Sequence, residues 1–217
     1  MYHSQSGQDQ FVLFCLNRKR NGTFVEIGSF DPVEINNTFV LENDFQWSGL
    51  MIERDPSFLP KYQKLRPKSH HLIQDATTVR FDKEFAKLGL PSVIDYVMVD
   101  LDVSSQATIR CLRKLDNEVM GNYKFAVVTF EHDIYRHNFI NWHKYFFTRS
   151  KSRQIFKKHG YVRAFSDVRN VNNPFEDWYV HPDCVDMNRI KPLMSNESLE
   201  WTDIVRKFQE SAGENAS

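Results

Sequence analysis

Five short apolar runs, each ending at or near an acidic residue, constrain the fold more than any other feature of the chain. They occupy residues 22–28, 48–53, 70–76, 94–102 and 123–133 and read GTFVEIG, SGLMIE, HHLIQDA, IDYVMVDLD and YKFAVVTFEHD. The segments between them place apolar residues at helical spacing, as Ile35, Phe39 and Val40 do. Strands that are apolar on both faces and alternate with helices are typical of a parallel sheet covered on both sides. The sequence therefore predicts a doubly wound, Rossmann-like α/β domain.

The residue composition of the chain changes after the fifth apolar run. Residues 134–153 are rich in aromatic and basic side chains. They could form a substrate lid whose rings stack on a sugar, and a helical cover packed on the sheet is the alternative. Two further runs, YVRAFSDV and EDWYVHP, raise the predicted number of strands to seven. We assign residues 1–189 to one domain, with 1–20 as an N-terminal cap element, and 190–217 to an amphipathic helix and a disordered tail.

Composition narrows the classes of partner. The 28 Lys and Arg residues balance the 28 Asp and Glu residues, so the whole chain has no field that attracts a polyanion. We therefore expect neither a nucleic-acid partner nor a membrane partner. The three cysteines are far apart and the N-terminal residues lack the pattern of a secretion signal, which together favour the cytoplasm.

The acidic residues after the runs indicate where a ligand binds, because ligands of open α/β sheets lie beyond the carboxyl ends of the strands. Glu53 follows the second run and could accept hydrogen bonds from the ribose hydroxyls of an adenosine. Glu26 could accept from a cationic amine and Asp75 from the adenine amino group. Gly28 would allow the backbone to approach the ligand closely. The G-x-G-x-x-G pattern is absent, which argues against a nicotinamide-dependent oxidoreductase.

A second acidic group follows the fourth and fifth runs. Asp102, Glu131, His132 and Asp133 should meet at neighbouring strand ends, and we select them as candidate catalytic residues. His132 could act as a general base, or Asp102, Glu131 and His132 could bind Mg²⁺ or another divalent cation. The alternative is that these side chains cap helices and form ion pairs with nearby arginines.

The stretches FVEIGSFDPVEINNT, WSGLMIERDP, DAT and IDYVMVDLD resemble S-adenosylmethionine-dependent class I methyltransferases. Together with SQSGQD at residues 4–9, they resemble the FkbM-type family within that class, over residues 4–181. The resemblance implies a seven-stranded, mostly parallel sheet with an antiparallel last strand. It also implies that these residues bind the cofactor: Glu26, Gly28, Ser29, Asn37, Thr38, Glu53, Asp75, Ala76 and Asp100.

By this resemblance, the function is S-adenosylmethionine-dependent methyl transfer to oxygen on a small hydroxylated acceptor such as a sugar. The chain departs from the family at Asp31-Pro32, where a second glycine is usual, and at Asp102-Val103, where Glu-Gly is usual. The first departure motivates an alternative, in which the protein binds the cofactor without turnover and serves as an assembly or regulatory subunit.

Overall fold

A computed structural model of the protein describes residues 2–213, which form one sheet flanked by helices. The strands are β1 (Thr23–Ile27), β2 (Ser48–Glu53), β3 (His70–Ile73), β4 (Val93–Val99), β5 (Lys124–Glu131), β6 (Val162–Asn170), β7 (Asn173–Val180) and β8 (Ser195–Glu200). The helices are α1 (Gln8–Cys15), α2 (Phe39–Phe45), α3 (Leu59–Leu65), α4 (Phe81–Lys87), α5 (Ala107–Glu118), α6 (Trp142–Lys158), α7 (Met187–Ile190) and α8 (Trp201–Ser211).

The strand order is β3-β2-β1-β4-β5-β7-β6-β8. Strands β1 to β5 are parallel, and β7 runs antiparallel to both of its neighbours, β5 and β6. The predicted doubly wound sheet with an antiparallel strand near its end is thereby confirmed. The chain passes from β1 outward to β3 and then returns to β4, so β1 and β4 flank the point where the order reverses. Ligands of open α/β sheets bind at this point.

The C-terminal segment differs from the prediction of one amphipathic helix within residues 190–217. The segment contains the 3₁₀ turn Lys191–Leu193, strand β8 and then helix α8. Pro192 cannot continue a helix from α7, and the polar sequence SNESLE pairs with the edge of β6 as an eighth strand. Of the predicted disordered tail, residues 214–217 lie outside the described part of the chain.

Alternating side chains of the strands enter two apolar layers, one on each face of the sheet. On β1, Phe24 belongs to one layer and Val25 to the other. Helices α1 and α8 cover the first face together, since the rings of Phe14 and Phe208 stack at 4.5 Å between centroids. Helices α4, α5 and α6 contribute to the second layer. None of the helices within residues 2–213 has the length and apolarity needed to cross a membrane.

Candidate functional site

A cavity of ≈ 680 Å³ opens at the carboxyl ends of the parallel strands. Most of the predicted site residues line it: Glu26, Gly28, Ser29, Asn37, Glu53, Asp75, Ala76, Asp100, Asp102, Glu131 and Asp133. Thr38 and His132 are not among the lining residues that the structure describes. The cavity therefore brings together the acidic ends of β1, β2, β4 and β5.

Glu26 at the end of β1 is fully buried, and its two carboxylate oxygens differ. Oε2 accepts hydrogen bonds from Asn36 Nδ2 at 3.2 Å and Thr38 Oγ1 at 3.0 Å. Oε1 is buried and has no hydrogen-bond partner within residues 2–213, and the same is true of Oδ1 of Asn37. Burial raises the pKa of Glu26, and the nearby Arg66 opposes this shift. Two residues that line the cavity thus each keep a buried acceptor oxygen, and buried acceptors of this kind normally have a hydrogen-bond partner.

Arg66, which the sequence analysis did not single out, holds this wall in place. Its guanidinium is completely buried and pairs with Glu42 at 2.9 Å. It also donates to Thr38 Oγ1 at 2.6 Å, and to Asn36 Oδ1 at 2.9 Å and the carbonyl of Pro32 at 3.2 Å. Thr38 is therefore not a lining residue of the cavity; it lies behind Glu26 and orients the Glu26 carboxylate. No local sequence pattern connects Arg66 with a loop some 30 positions earlier.

Gly28 is required for packing as well as for access to the cavity. Its φ is +90°, and a Cβ atom at this position would lie 1.8 Å from the carbonyl oxygen of Asp100. The space beside Gly28 is thus occupied by the backbone that follows β4, and the predicted close approach of a ligand stays a prediction. A side chain here would push β1 and β4 apart where the cavity opens.

Glu53, the acidic residue at the end of β2, is held by backbone amides. Oε1 of Glu53 accepts from the amides of Arg54 at 2.8 Å and Asp55 at 3.0 Å, and Oε2 accepts from Phe30 at 3.0 Å. Asp75 accepts from the amide and hydroxyl of Thr77, which lower its pKa. A carboxylate has about four acceptor positions, so both can still accept from a ligand.

The opposite end of the cavity concentrates carboxylates. Burial, followed by the charges of Asp133 and Glu26, raises the pKa of Asp100 to about 7. Burial also raises the pKa of Asp133, and Arg136, 3.3 Å away, opposes that shift. Asp102 behaves differently: burial is outweighed by hydrogen bonds from the next two serines, which lower its pKa. Proton uptake near neutral pH is therefore expected of Asp100.

His132 does not face the cavity, contrary to our prediction. It is fully buried, with Nε2 3.3 Å from Asp167 and 3.6 Å from Asp177. Arg153 binds the same two carboxylates, and Arg149 pairs with Asp167. Burial lowers the pKa of His132, but these two aspartates outweigh burial and raise it. Nδ1 accepts from the amide of Ile134 at 3.3 Å and Nε2 faces the two aspartates, so both ring nitrogens of His132 are engaged inside the protein.

The predicted metal ligands Asp102, Glu131 and His132 are not brought together. Among residues 2–213, one set of metal-type side chains has its atoms within 4.8 Å of one another, and it consists of His132, Asp167 and Asp177. Two arginines already neutralise those carboxylates, so the set does not fit a divalent cation.

The N-terminal segment reaches the cavity through Gln5, another residue that the sequence analysis missed. Asp9 at the start of α1 fixes this segment by accepting from the amides of His3 and Ser4. The motif SQSGQD could have indicated Gln5, because the resemblance already included residues 4–9.

Most of the predicted lid lies away from the cavity. Within residues 134–153, Arg136 is the described residue that lines it. Tyr145 and Thr148 of α6 are buried, whereas Phe139 is 95% exposed. The segment therefore combines a helical cover with a solvent-exposed tip.

Comparisons with known proteins identify the fold. No family model and no curated protein matches the sequence. Among solved structures, a proposed O-methyltransferase from Klebsiella pneumoniae has a TM-score of 0.55 at 11% identity, covering 83% of this chain and 82% of that one. A proposed rRNA methylase from Clostridium thermocellum has a TM-score of 0.51 at 11% identity, with 83% and 98% covered. A TehB-like S-adenosylmethionine-dependent methyltransferase from Corynebacterium glutamicum has a TM-score of 0.50 at 8% identity, with 82% and 89% covered. The protein has the fold of class I methyltransferases, and the comparisons do not confirm the FkbM subtype.

Proposed function

We propose that the protein is an S-adenosylmethionine-dependent methyltransferase that acts on a hydroxyl of a small acceptor, with sugars as the first class to test. The observation that carries the proposal is that Glu26 and Asn37, which line a cavity at the point where the strand order reverses, each keep a buried oxygen without a hydrogen-bond partner among residues 2–213. The fold supports it, and so does the FkbM-type sequence resemblance.

The residues present fit this cofactor. Glu26 and Asn37 would accept from its ammonium, Glu53 would accept from the ribose hydroxyls, and Asp75 and Ala76 would contact the adenine. A wall rich in carboxylates suits a ligand that carries both a sulfonium and an ammonium charge. Asp31 and Pro32 are not among the described residues lining the cavity, so the departure from the family motif leaves the cavity open.

The reaction needs a positioned acceptor and a proton acceptor. The bound cofactor would supply an electrophilic methyl group, and in-line positioning of the acceptor oxygen would supply much of the rate. Asp100 and Asp133 are the carboxylates best suited to take the hydroxyl proton, because burial moves their pKa values upward. Asp102 and Glu131 would contact the acceptor, and we no longer assign His132 or a metal ion to this step.

Calorimetric titration with S-adenosylmethionine and S-adenosylhomocysteine tests the cofactor assignment. We expect binding to both, followed by methyl transfer when a panel of sugars is supplied. Failure to bind either compound would contradict the proposal. Binding without turnover on any acceptor would favour the alternative of a cofactor-binding regulatory subunit.

A further inference from the structure

An apolar tip protrudes beside the cavity. We call residues 135–147 the aromatic tip. Its most exposed apolar side chains are Phe139 at 95% and Ile140 at 82%, followed by Trp142 at 52%, Phe147 at 46% and Phe146 at 44%. The rings of Trp142 and Phe146 lie 5.9 Å apart and form a pair, and Phe139 and Ile140 lie in the turn immediately before them in the chain. Exposed apolar patches of this kind mark interaction surfaces.

The tip has a defined backbone. Asn138 Oδ1 accepts from the amides of Ile140 at 2.9 Å and Asn141 at 3.0 Å, and Asn141 Oδ1 accepts from the amide of Asn138 at 2.7 Å. These reciprocal bonds close a turn and leave the side chains of Phe139 and Ile140 outside it. The exposure therefore belongs to a hydrogen-bonded turn that presents two large apolar groups.

The charged residues of the segment that carries the tip are all basic. Residues 134–158 contain seven Lys and Arg residues, two His residues and no Asp or Glu, in a chain whose formal net charge is zero. Four of the seven form ion pairs with acids elsewhere in the chain: Arg136, Arg149, Arg153 and Lys158. Lys144 donates to the carbonyl of Ser104, and among the ion pairs of residues 2–213 none involves Lys144, Lys151 or Lys157. Lys144 therefore lies within the tip and Lys151 one helical turn beyond Phe147, whereas Lys157 lies near the far end of α6.

We propose that the aromatic tip binds the surface of an anionic lipid bilayer. Phe139 and Ile140 would enter the boundary between headgroups and acyl chains, Trp142 would lie at the headgroup level, and the lysines would face lipid phosphates. The balanced charge of the whole chain led us to expect no membrane partner, but net charge does not describe how charge is distributed over one local surface. The proposal does not depend on methyl transfer.

Other occupants fit the tip less well. A second copy of the chain would bring the same positive charges face to face in a two-fold interface. Single-stranded RNA would use stacking rings, but Ile140, one of the two most exposed apolar side chains of the tip, cannot stack. Arg136 belongs both to the tip and to the cavity wall, so docking through the tip would turn the cavity opening toward the lipid surface.

Vesicle sedimentation with the whole protein tests the proposal. We expect binding to vesicles of phosphatidylcholine and phosphatidylserine, and weaker binding to phosphatidylcholine alone or at high salt. The double variant Phe139→Ser/Ile140→Ser should lose at least about tenfold in partitioning. Lys144→Gln should lose roughly fivefold on the anionic vesicles alone.

Val93→Ser is the matched control, because Val93 is an exposed apolar residue at the amino end of β4, on the opposite edge of the sheet. It should bind vesicles like the unmodified protein. The proposal is overturned if the protein ignores anionic vesicles, or if the double variant binds as well as the control. It is equally overturned if changes at the tip abolish dimerisation or RNA binding in a protein that does not sediment with lipid.

Discussion

Changing Glu26 to Gln should weaken S-adenosylmethionine binding while preserving the fold. The carboxylate is fully buried, and Oε2 is held by Asn36 and Thr38, which leaves Oε1 for the ligand. Gln can still offer a carbonyl oxygen to Asn36 and Thr38, but its NH₂ group then replaces Oε1 and confronts an ammonium with another donor. Losing a charged hydrogen bond costs about 1.5–3 kcal/mol, which corresponds to a Kd increase of roughly 10- to 150-fold.

The assay compares two ligands by calorimetry. 5′-Methylthioadenosine keeps the adenosine and lacks the amine and carboxylate, so its Kd should change less than about twofold in Glu26→Gln. Glu53→Ala should weaken both ligands, because both carry the ribose. Glu34→Gln removes the same charge from an exposed position of the same loop and should bind both ligands normally.

Thermal unfolding separates loss of the contact from loss of the fold. Burial raises the pKa of Glu26, so the ionised carboxylate opposes folding, and Gln should leave Tm unchanged or higher. The reasoning is refuted if S-adenosylmethionine binds Glu26→Gln within threefold of its normal Kd, or if both ligands weaken equally.

Three further predictions concern stability. Gly28→Ala should lower the free energy of unfolding in urea by at least about 2 kcal/mol, because the added Cβ would meet the Asp100 carbonyl. Gly89 also has a positive φ but lies in open space, so Gly89→Ala should lower the free energy of unfolding by less. Equal decreases in the two variants would contradict the clash. Arg66→Met should cost about 3 kcal/mol by leaving Glu42 buried without its ion pair, and a loss below about 1 kcal/mol would show that the loop does not depend on it. Asp100 has a pKa of about 7 in the folded protein against about 4 in the unfolded chain, so between these pH values it is protonated mainly in the folded state. Its contribution to the free energy of unfolding should therefore fall as pH rises from about 4 to 7. Tm measured across this interval should fall less steeply in Asp100→Asn, and an identical slope would reject the shift.

The parallel strands could be predicted because their signal is local. Each apolar run fits a strand buried on both faces, and the acids that follow lie at one edge because parallel strands end together. Strand β8 could not be predicted in this way. Its sequence, SNESLE, is polar, and its conformation depends on pairing with β6 far away in the sequence. Pairing of this kind leaves no periodic pattern to read.

The sequence could have predicted that the His132 side chain lies away from the cavity. Side chains at the end of a strand alternate between opposite sides, so Glu131 and Asp133 should share a side that His132 does not. The structure follows this rule, with Glu131 and Asp133 lining the cavity and His132 buried against β6 and β7. Arg66 is different, because a buried guanidinium that organises a distant loop has no signature in its own neighbourhood.

Whether a buried acidic side chain has a cationic partner, more than its residue type, distinguishes the candidate site from the rest of the fold. Asp167 and Asp177 meet Arg149, Arg153 and His132, and their pKa values fall despite burial because those cations surround them. They contribute to stability as a closed network, and a ligand would find no free charge there. Glu26 and Asp100 have the opposite character, because burial raises their pKa values and Glu26 keeps an oxygen without a partner. When ionised, such groups oppose folding unless a cation binds beside them, which supports the cationic ligand of the proposed function.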